Sequence, residues 1–539
     1  MMYRLEPHPQ EWIDRSTVIN FTFEGKPCRG FGGDTISSAL AAAAVPYLGR
    51  SFKYHRPRGI LSFANHDSNT LFQVDGVPNV RGDVTVLRDG MRVAAINTFG
   101  GLAADKARIL DRLARWLPVG FYYKAFHSKR LFPRWERMFR AITGLGSVSL
   151  EAERRLTPKR YGFCEVLVIG GGPSGLAAAL EAAAAGARVA LVDEAFRLGG
   201  SGAAGYDSVR ALTEAVSTSP RITVFAATVA AGYYADHWVA LAEPMRMTKM
   251  RAKAVVFATG VIEQPAVFRN NDLPGVLLAS GAWRLLQRYR VAPGRRVVMV
   301  AANLEAYSIC LDLHAQGVQV AAIVELRAAP EDGEAARGCA AAGMTIILGS
   351  APYEAIAGAD GAVAALDIAR LDASGGVGSA KPRRIDCDSV LMSVGWAAAT
   401  QLYLQAGGST RFSEELQQFV PKELPSGIFA AGRMNGVYDF EARVADGKRA
   451  GSQAAAHAGF GTPSNAVIDQ FHAGTRCPSH RFPIIDHPLA KNFVDFDEDL
   501  QVKDLENAAQ EGFDSSELLK RYSTVGMGPS QGKHSNMNA

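Results

Sequence analysis

Cysteine is scarce in this chain: there are six in 539 residues, at positions 28, 164, 310, 339, 387 and 477. No two form a CxxC pair, which excludes a zinc ribbon and argues against a disulfide framework. No apolar run reaches the roughly 18 residues of a membrane span. The opening MMYRLEPHPQEW lacks the apolar core of a secretory leader. A reduced, cytoplasmic protein is the expectation, with no membrane partner. Charge of one sign is not in excess overall, at a formal +5, but it is unevenly placed. Residues 1–160 carry 25 Lys/Arg against 14 Asp/Glu, a net of about +11, and the rest of the chain is about −6. A basic N-terminal third suits an anionic ligand or an acidic partner surface. The basic residues are dispersed and no recognition motif accompanies them, so nucleic acid is not expected.

The length is too great for one core. Residues 16–98 contain period-two stretches (VINFTF, TLFQV, VTVL, VAAI) around a helix-like TISSALAAAAVPYL, the order of a β-grasp domain over 1–100. Residues 101–160 read as a helical connector. Its aromatic and basic segment GFYYKAFHSKRLFPRWERMFR reads as packing against another domain or subunit rather than as a membrane-surface helix. From 161 onwards apolar strands alternate with helices, the signature of an α/β, doubly wound parallel sheet. A first dinucleotide-binding domain is expected over 161–290 with a return at 396–460. A second Rossmann-like domain occupies 291–395, and a small helical tail 461–539.

EVLVIGGGPSGLAAALEAAAAGARVALVDE carries the strongest motif. Gly170, Gly172 and Gly175 form GxGxxG between an apolar strand and a helix, and Asp193 ends the next strand 23 residues after Gly170. Gly170 permits the tight turn, Gly172 the approach of a pyrophosphate, and Gly175 close helix–strand packing. Pro173 and Ser174 open a helix whose N-terminus favours phosphate. Asp193, with Glu194 beside it, suits a ribose diol and disfavours a 2′-phosphate. Gly200, Thr259, Gly260, Gly432 and Arg433 complete the expected rim. The second βαβ unit reads Ala301-Ala302-Asn303-Leu304-Glu305-Ala306 at the same turn. There Cβ atoms narrow the approach and Glu305 repels phosphate, so one dinucleotide is expected rather than two. Arg433 stands where two-dinucleotide flavoproteins usually place a ribityl-binding Asp, which favours NAD over FAD. No CxxxxC pair follows Gly199-Gly200, so dithiol chemistry is excluded.

RSFKYHRPRGI, ATGVIEQPAVFRNNDLPGVL, FVDFDEDLQVKDL and LLKRYSTVGMGPSQGK together resemble the alpha subunit of heterotetrameric sarcosine oxidase over nearly the whole chain. The resemblance implies NAD in the first Rossmann site, FAD on a beta-type flavoprotein subunit, FMN at the interface between the two, and smaller subunits in the assembly. It also implies a β-grasp (ferredoxin-like) domain and a tail like the bacterioferritin-associated ferredoxin fold. The family's subunit continues into a folate-binding domain like the aminomethyltransferases. This sequence ends at Asn538-Ala539, about where that domain would begin, so folate chemistry is expected elsewhere. In the related cyanide synthases and opine oxidases the β-grasp holds a [2Fe–2S] cluster. Its ligands align with Ser62, Asp67, Thr70 and Asp83 here, and those of the tail cluster with Asp495, Asp497, Ser530 and Ser535. Thiolates hold such clusters, so both scaffolds are expected without iron.

The basic loop then has two readings. Ser51, Lys53, Arg56 and Arg58 face the FMN phosphate at the subunit boundary, or the loop is salt-bridged within the chain. His55 is read as an interface or core residue. No catalytic or metal-ligating constellation is evident. The expected function is that of an NAD-binding, alpha-type subunit of a multisubunit oxidoreductase acting on sarcosine or another N-methyl or secondary amino acid. The alternatives are a free-standing FAD-dependent oxidoreductase, with FAD in the first Rossmann site, and a non-catalytic scaffold for a partner flavoprotein.

Overall fold

The computed structural model describes residues 3–67, 70–121, 126, 128–142, 150, 156–200, 206–330, 333–372, 374–463, 478–481 and 483–539. Cys477 lies outside the described residues.

The N-terminal sheet is built from β1 (Asp14–Phe23), β2 (Lys26–Gly32), β3 (Leu71–Val74), β4 (Val77–Arg81) and β5 (Arg92–Ala95), in the order β2-β1-β5-β3-β4. β1 pairs β5 in parallel and β2 antiparallel. This is the β-grasp arrangement read from the period-two stretches. Helix α1 (Ile36–Ala42) crosses the sheet and buries Ile36, Ala39 and Leu40 against Phe21, Phe23 and Phe72. A capping box starts it: Ser38 N donates to Thr35 Oγ1 at 3.2 Å, and Thr35 N to Ser38 Oγ at 2.9 Å. Two amides at that end are thereby satisfied reciprocally. The connector contributes α2 (Phe132–Ile142).

β6 (Lys159–Ile169), α3 (Pro173–Ala184) and β7 (Val189–Val192) form the first βαβ unit. β6 is buried only over its last six residues, where it lies in parallel between β7 and the long strand β8 (Arg246–Phe257). That explains its continuous apolar run, since a central parallel strand is covered on both faces. In the second βαβ unit, β9 (Arg296–Ala301), α4 (Glu305–Ala315) and β10 (Gln319–Glu325) belong to a separate five-stranded sheet. Its strand β11 (Ser389–Ser393) also runs parallel to β9.

The chain then returns to the first sheet through β12 (Ile428–Ala430), which pairs β8 in parallel, and α5 (Phe440–His457). α5 packs on α3 through Gly447 and Gly451. A Cβ on these would lie 2.2 Å from Ser174 O and 2.3 Å from Ala178 O, so the helices approach backbone to backbone. The tail adds a short antiparallel strand pair (Phe493–Asp495 with Leu500–Gln501) and helices α6 (Val502–Gln510) and α7 (Ser516–Ser523).

The chain divides into two compact units. One contains Met1–Ala152, Glu263–Val394 and His480–Ala539; the other contains Glu153–Ile262 and Gly395–Ser479. The second βαβ unit therefore goes with the β-grasp and the tail, and the first has its own core. No helix among the described residues is long and apolar enough to cross a membrane.

Candidate functional site

The first βαβ unit ends its strand in a turn that only glycine can make. Gly170 has φ +108°, and a Cβ on it would sit 2.3 Å from Ala258 O. A Cβ on Gly175 would sit 1.8 Å from Gly170 O. Gly172, the N-cap of α3, is different: its φ is an ordinary −79°, and a Cβ there would find no atom nearer than Gly200 Cα at 3.8 Å. Among the described residues no side chain comes within 4 Å of that Cβ position, at the end of a helix whose amides and dipole attract anions. Pro173 follows at the first helical position, where the missing N–H costs nothing.

The remaining expected residues gather around this turn with specific partners. Asp193 receives Gly171 N on Oδ2 at 2.6 Å and Ala195 N on Oδ1 at 2.8 Å, so it ties the strand end to the glycine turn. Glu194 is exposed beside it. Gly200, at φ +69°, passes so close that its Cβ would stand 2.8 Å from Gly172 Cα. Thr259 donates its hydroxyl to Ala399 O at 2.7 Å, and Gly260 has φ +74° with open space before it. Gly432 lies against Ser174: its Cβ would be 2.2 Å from Ser174 Oγ.

Two further features of this rim went unread in the sequence. Gly432 N donates to the buried Asp446 at 2.8 Å, and Asp446 is paired with the buried Arg449 at 2.7 Å. The signal was an Asp and an Arg three apart in a helix whose other buried residues, Arg443 aside, are small. Arg433 lies against two neighbouring rings, its guanidinium carbon 5.3 Å from the Trp396 centroid and 5.5 Å from that of Tyr438. Such stacking fixes a planar cation.

The second βαβ turn is filled by its own side chains. Asn303 stands where the middle glycine would be and is fully buried. Its Nδ2 donates to Ser393 O at 3.1 Å, while its Oδ1 accepts from Ser393 Oγ at 3.2 Å and from Glu305 N at 3.1 Å. A helix amide that would otherwise meet phosphate is thus capped from within.

The basic loop is occupied by carboxylates of its own chain. Arg56 grips Asp272 with Nε at 2.6 Å and Nη2 at 2.9 Å, and reaches Asp111 at 3.2 Å. Arg58, 1% exposed, pairs with Asp272 and Asp499, and burial pulls its guanidinium down to about 10. Both cations also lie over the Phe493 ring. The expectation that Arg56 and Arg58 face a phosphate therefore gives way to the salt-bridged reading. Their charge has partners at Asp111, Asp272 and Asp499, which are remote in sequence. Ser51 closes the loop by accepting Arg56 N at 3.0 Å. Lys53 is half-buried with its ammonium 4.9 Å from the Tyr54 ring centroid, and burial lowers its pKa. His55 is buried and bonded to Asp105 at 2.7 Å.

Comparison with known proteins adds to this geometry. A family model described as pyridine nucleotide-disulphide oxidoreductase matches residues 164–454, and one described as sarcosine oxidase A3 domain matches residues 489–539. The sarcosine oxidase subunit alpha of Rhizobium meliloti is 34% identical over 98% of this chain. The chain belongs to the sarcosine oxidase alpha-subunit family. The corresponding subunit of Corynebacterium sp. strain P-1 is 29% identical over the whole chain. The chain spans 55% and 54% of these two relatives' lengths. Among solved structures, an L-proline dehydrogenase from P. horikoshii shares the fold, with a TM-score of 0.70 at 20% identity over 98% of this chain and 93% of its own.

A further model, described as a 2Fe-2S iron-sulfur cluster binding domain, matches residues 16–98. The residues present do not fit that cluster. The only thiol in the matched range is Cys28, half-buried on β2, where four thiolates are required. Ser62, Asp67, Thr70 and Asp83 are all buried, as are Asp495, Asp497, Ser530 and Ser535 in the tail. Among the described residues no three His, Cys, Asp or Glu side chains come together as a metal site.

Proposed function

We propose that this chain is the NAD-binding, alpha-type subunit of a multisubunit flavin oxidoreductase that oxidises a CH–NH group of sarcosine or a related N-methyl or secondary amino acid. The observation that carries the nucleotide assignment is the turn at Gly172, which no described side chain fills, set against a second turn closed by Asn303. Gly170 and Gly175 shape the turn, α3 offers its N-terminal amides to the diphosphate, and Asp193 disfavours a 2′-phosphate. Arg433, packed against Trp396 and Tyr438, supplies positive charge where a flavin's ribityl chain would want an acceptor. That favours NAD over FAD at this site.

In this reading FAD on a beta-type flavoprotein subunit supplies the two-electron acceptor for the amine, and FMN sits at the boundary with that subunit. This chain's part is to bind the nucleotide and to build one wall of the boundary. Ser51 and Lys53 remain the basic-loop candidates there, and Arg56 and Arg58 are internal braces. Both cluster loops are iron-free. Copurification with the partner subunits, followed by identification of released cofactors, tests the assignment. NAD recovered from this chain and flavin from its partner is the expected result. A single yellow chain carrying FAD would instead support a free-standing flavoprotein.

A further inference from the structure

If the β-grasp loop has no cluster, something else must organise a backbone that a cluster-binding fold would wrap around metal. Three consecutive amides of this loop converge on one carboxylate oxygen. Leu61 N, Ser62 N and Phe63 N donate to Asp67 Oδ2 at 2.8, 2.9 and 3.1 Å. Thr70 N and Thr70 Oγ1 donate to the Asp67 carbonyl at 3.2 and 3.1 Å. Asp67 is 1% exposed. Successive N–H groups pointing at one spot make an anion-binding concavity, and here the chain fills it with its own side chain.

The tail repeats the device independently. Asp495 Oδ1 accepts Asp497 N at 2.8 Å and Glu498 N at 3.2 Å, while its Oδ2 accepts Gly526 N at 2.8 Å. Asp497 Oδ2 accepts Ser530 N at 2.8 Å. These bonds tie 495–498 to 526–530 across about thirty residues of chain. Gly528 presses on Asp497, where its Cβ would be 2.3 Å away. The two loops then meet through His66 and His534, whose ring centroids are 4.7 Å apart.

We infer that buried aspartates have replaced metal as the organising centres of these loops: Asp67 in the β-grasp, and Asp495 with Asp497 in the tail. The inference rests on the iron-free reading above. A buried carboxylate accepting several amides is a charge-assisted centre, and its removal strands those donors away from water. Asp67 and Asp495 are positioning residues with no part in redox chemistry.

Two measurements on the full chain separate the inference from the reading beneath it. Iron and acid-labile sulfide are assayed in protein purified without oxygen. Two of each per chain would overturn the iron-free reading, and neither is expected. Amide hydrogen exchange is then followed in Asp67→Ala and Asp495→Ala. We expect peptides covering 61–63 in the first variant, and 497–498 and 526 in the second, to exchange at least tenfold faster, while nucleotide content is unchanged. Should either alanine variant fail to fold, Asp67→Asn and Asp495→Asn keep the shape and one acceptor, and the same peptides should still lose protection. Unchanged protection in iron-free protein would overturn the inference and leave the reading standing.

Discussion

Single residues carry charge here in places that only distant partners can explain. Arg56 and Arg58 share Asp272, and Arg58 also holds Asp499. Removing both cations leaves buried carboxylates without counter-charge, which typically costs about 3–5 kcal/mol. Arg56→Gln with Arg58→Gln should therefore lower thermal stability markedly while the FMN content of the assembled complex stays as in wild type. Reduced FMN with unchanged melting temperature would restore the phosphate reading. Asp83 makes a different residue-scale prediction. Burial, and then the neighbouring charge of Asp67, push its carboxyl up to about 7. Because the folded value lies above the unfolded one, the contribution to stability is complete below about pH 4 and is lost as pH rises through about 7. Asp83→Asn should remove that dependence, gaining about 2–4 kcal/mol over wild type at pH 8 and little at pH 4. Thermal melts of the two proteins at both pH values check this.

At the scale of elements, the strand–turn–helix at 169–175 separates folding from binding. A methyl at Gly175 collides with Gly170 O, so Gly175→Ala should disrupt the packing of α3 on its strand and destabilise the first nucleotide fold. A methyl at Gly172 meets nothing closer than Gly200 Cα at 3.8 Å, at an unstrained φ. Gly172→Ala should melt within about 2 °C of wild type, since a surface-like change without strain is worth under about 0.5 kcal/mol. Its nucleotide affinity should nevertheless fall by tenfold or more if the proposed diphosphate approaches there. Calorimetric melts and a direct binding titration with NAD decide the pair. Equal losses of stability in both variants would count against an open cradle.

The same elements mark what a reader of the sequence could see. The glycine turn, its degenerate counterpart at Ala301–Ala306 and the period-two β-grasp strands are local patterns, and local sterics fix them. The role of Asn303 as an internal cap was half visible, since a Cβ in place of a glycine Hα announces a narrower turn without saying what fills it. Asp272 and Asp499 were invisible as partners of the basic loop. Ion pairs spanning 216 and 441 residues have no period and no spacing rule. Asp446 lay between, flagged by charge inside a small-residue helix but with no sign of the Gly432 amide it receives. The arginine loop showed its charge openly and hid only the destination of that charge.

For the whole molecule the decisive quantity is how many nucleotides one chain holds, and which. Two Rossmann-type sheets are present, yet the cradle before Gly172 is open and the turn at Asn303 is bonded shut. Each orphan amide capped from within removes one donor that a diphosphate would need, and Glu305 adds a carboxylate at the same helix end. The expected stoichiometry is one dinucleotide per chain, not two. In the proposed assignment Asp193 and Arg433 select its kind: a free ribose diol on one side, and no acceptor for a ribityl chain on the other. Heat-released cofactors from the chain expressed alone, identified by mass spectrometry and counted against protein, should therefore give NAD at no more than one equivalent. The protein should lack a flavin band in the visible spectrum. Asn303→Ala should not raise the count, because the Cβ and the Glu305 charge remain. Two equivalents in wild type, or stoichiometric FAD, would mean that the second turn opens or that Arg433 tolerates a flavin, and the subunit would then need no partner to carry its redox centre.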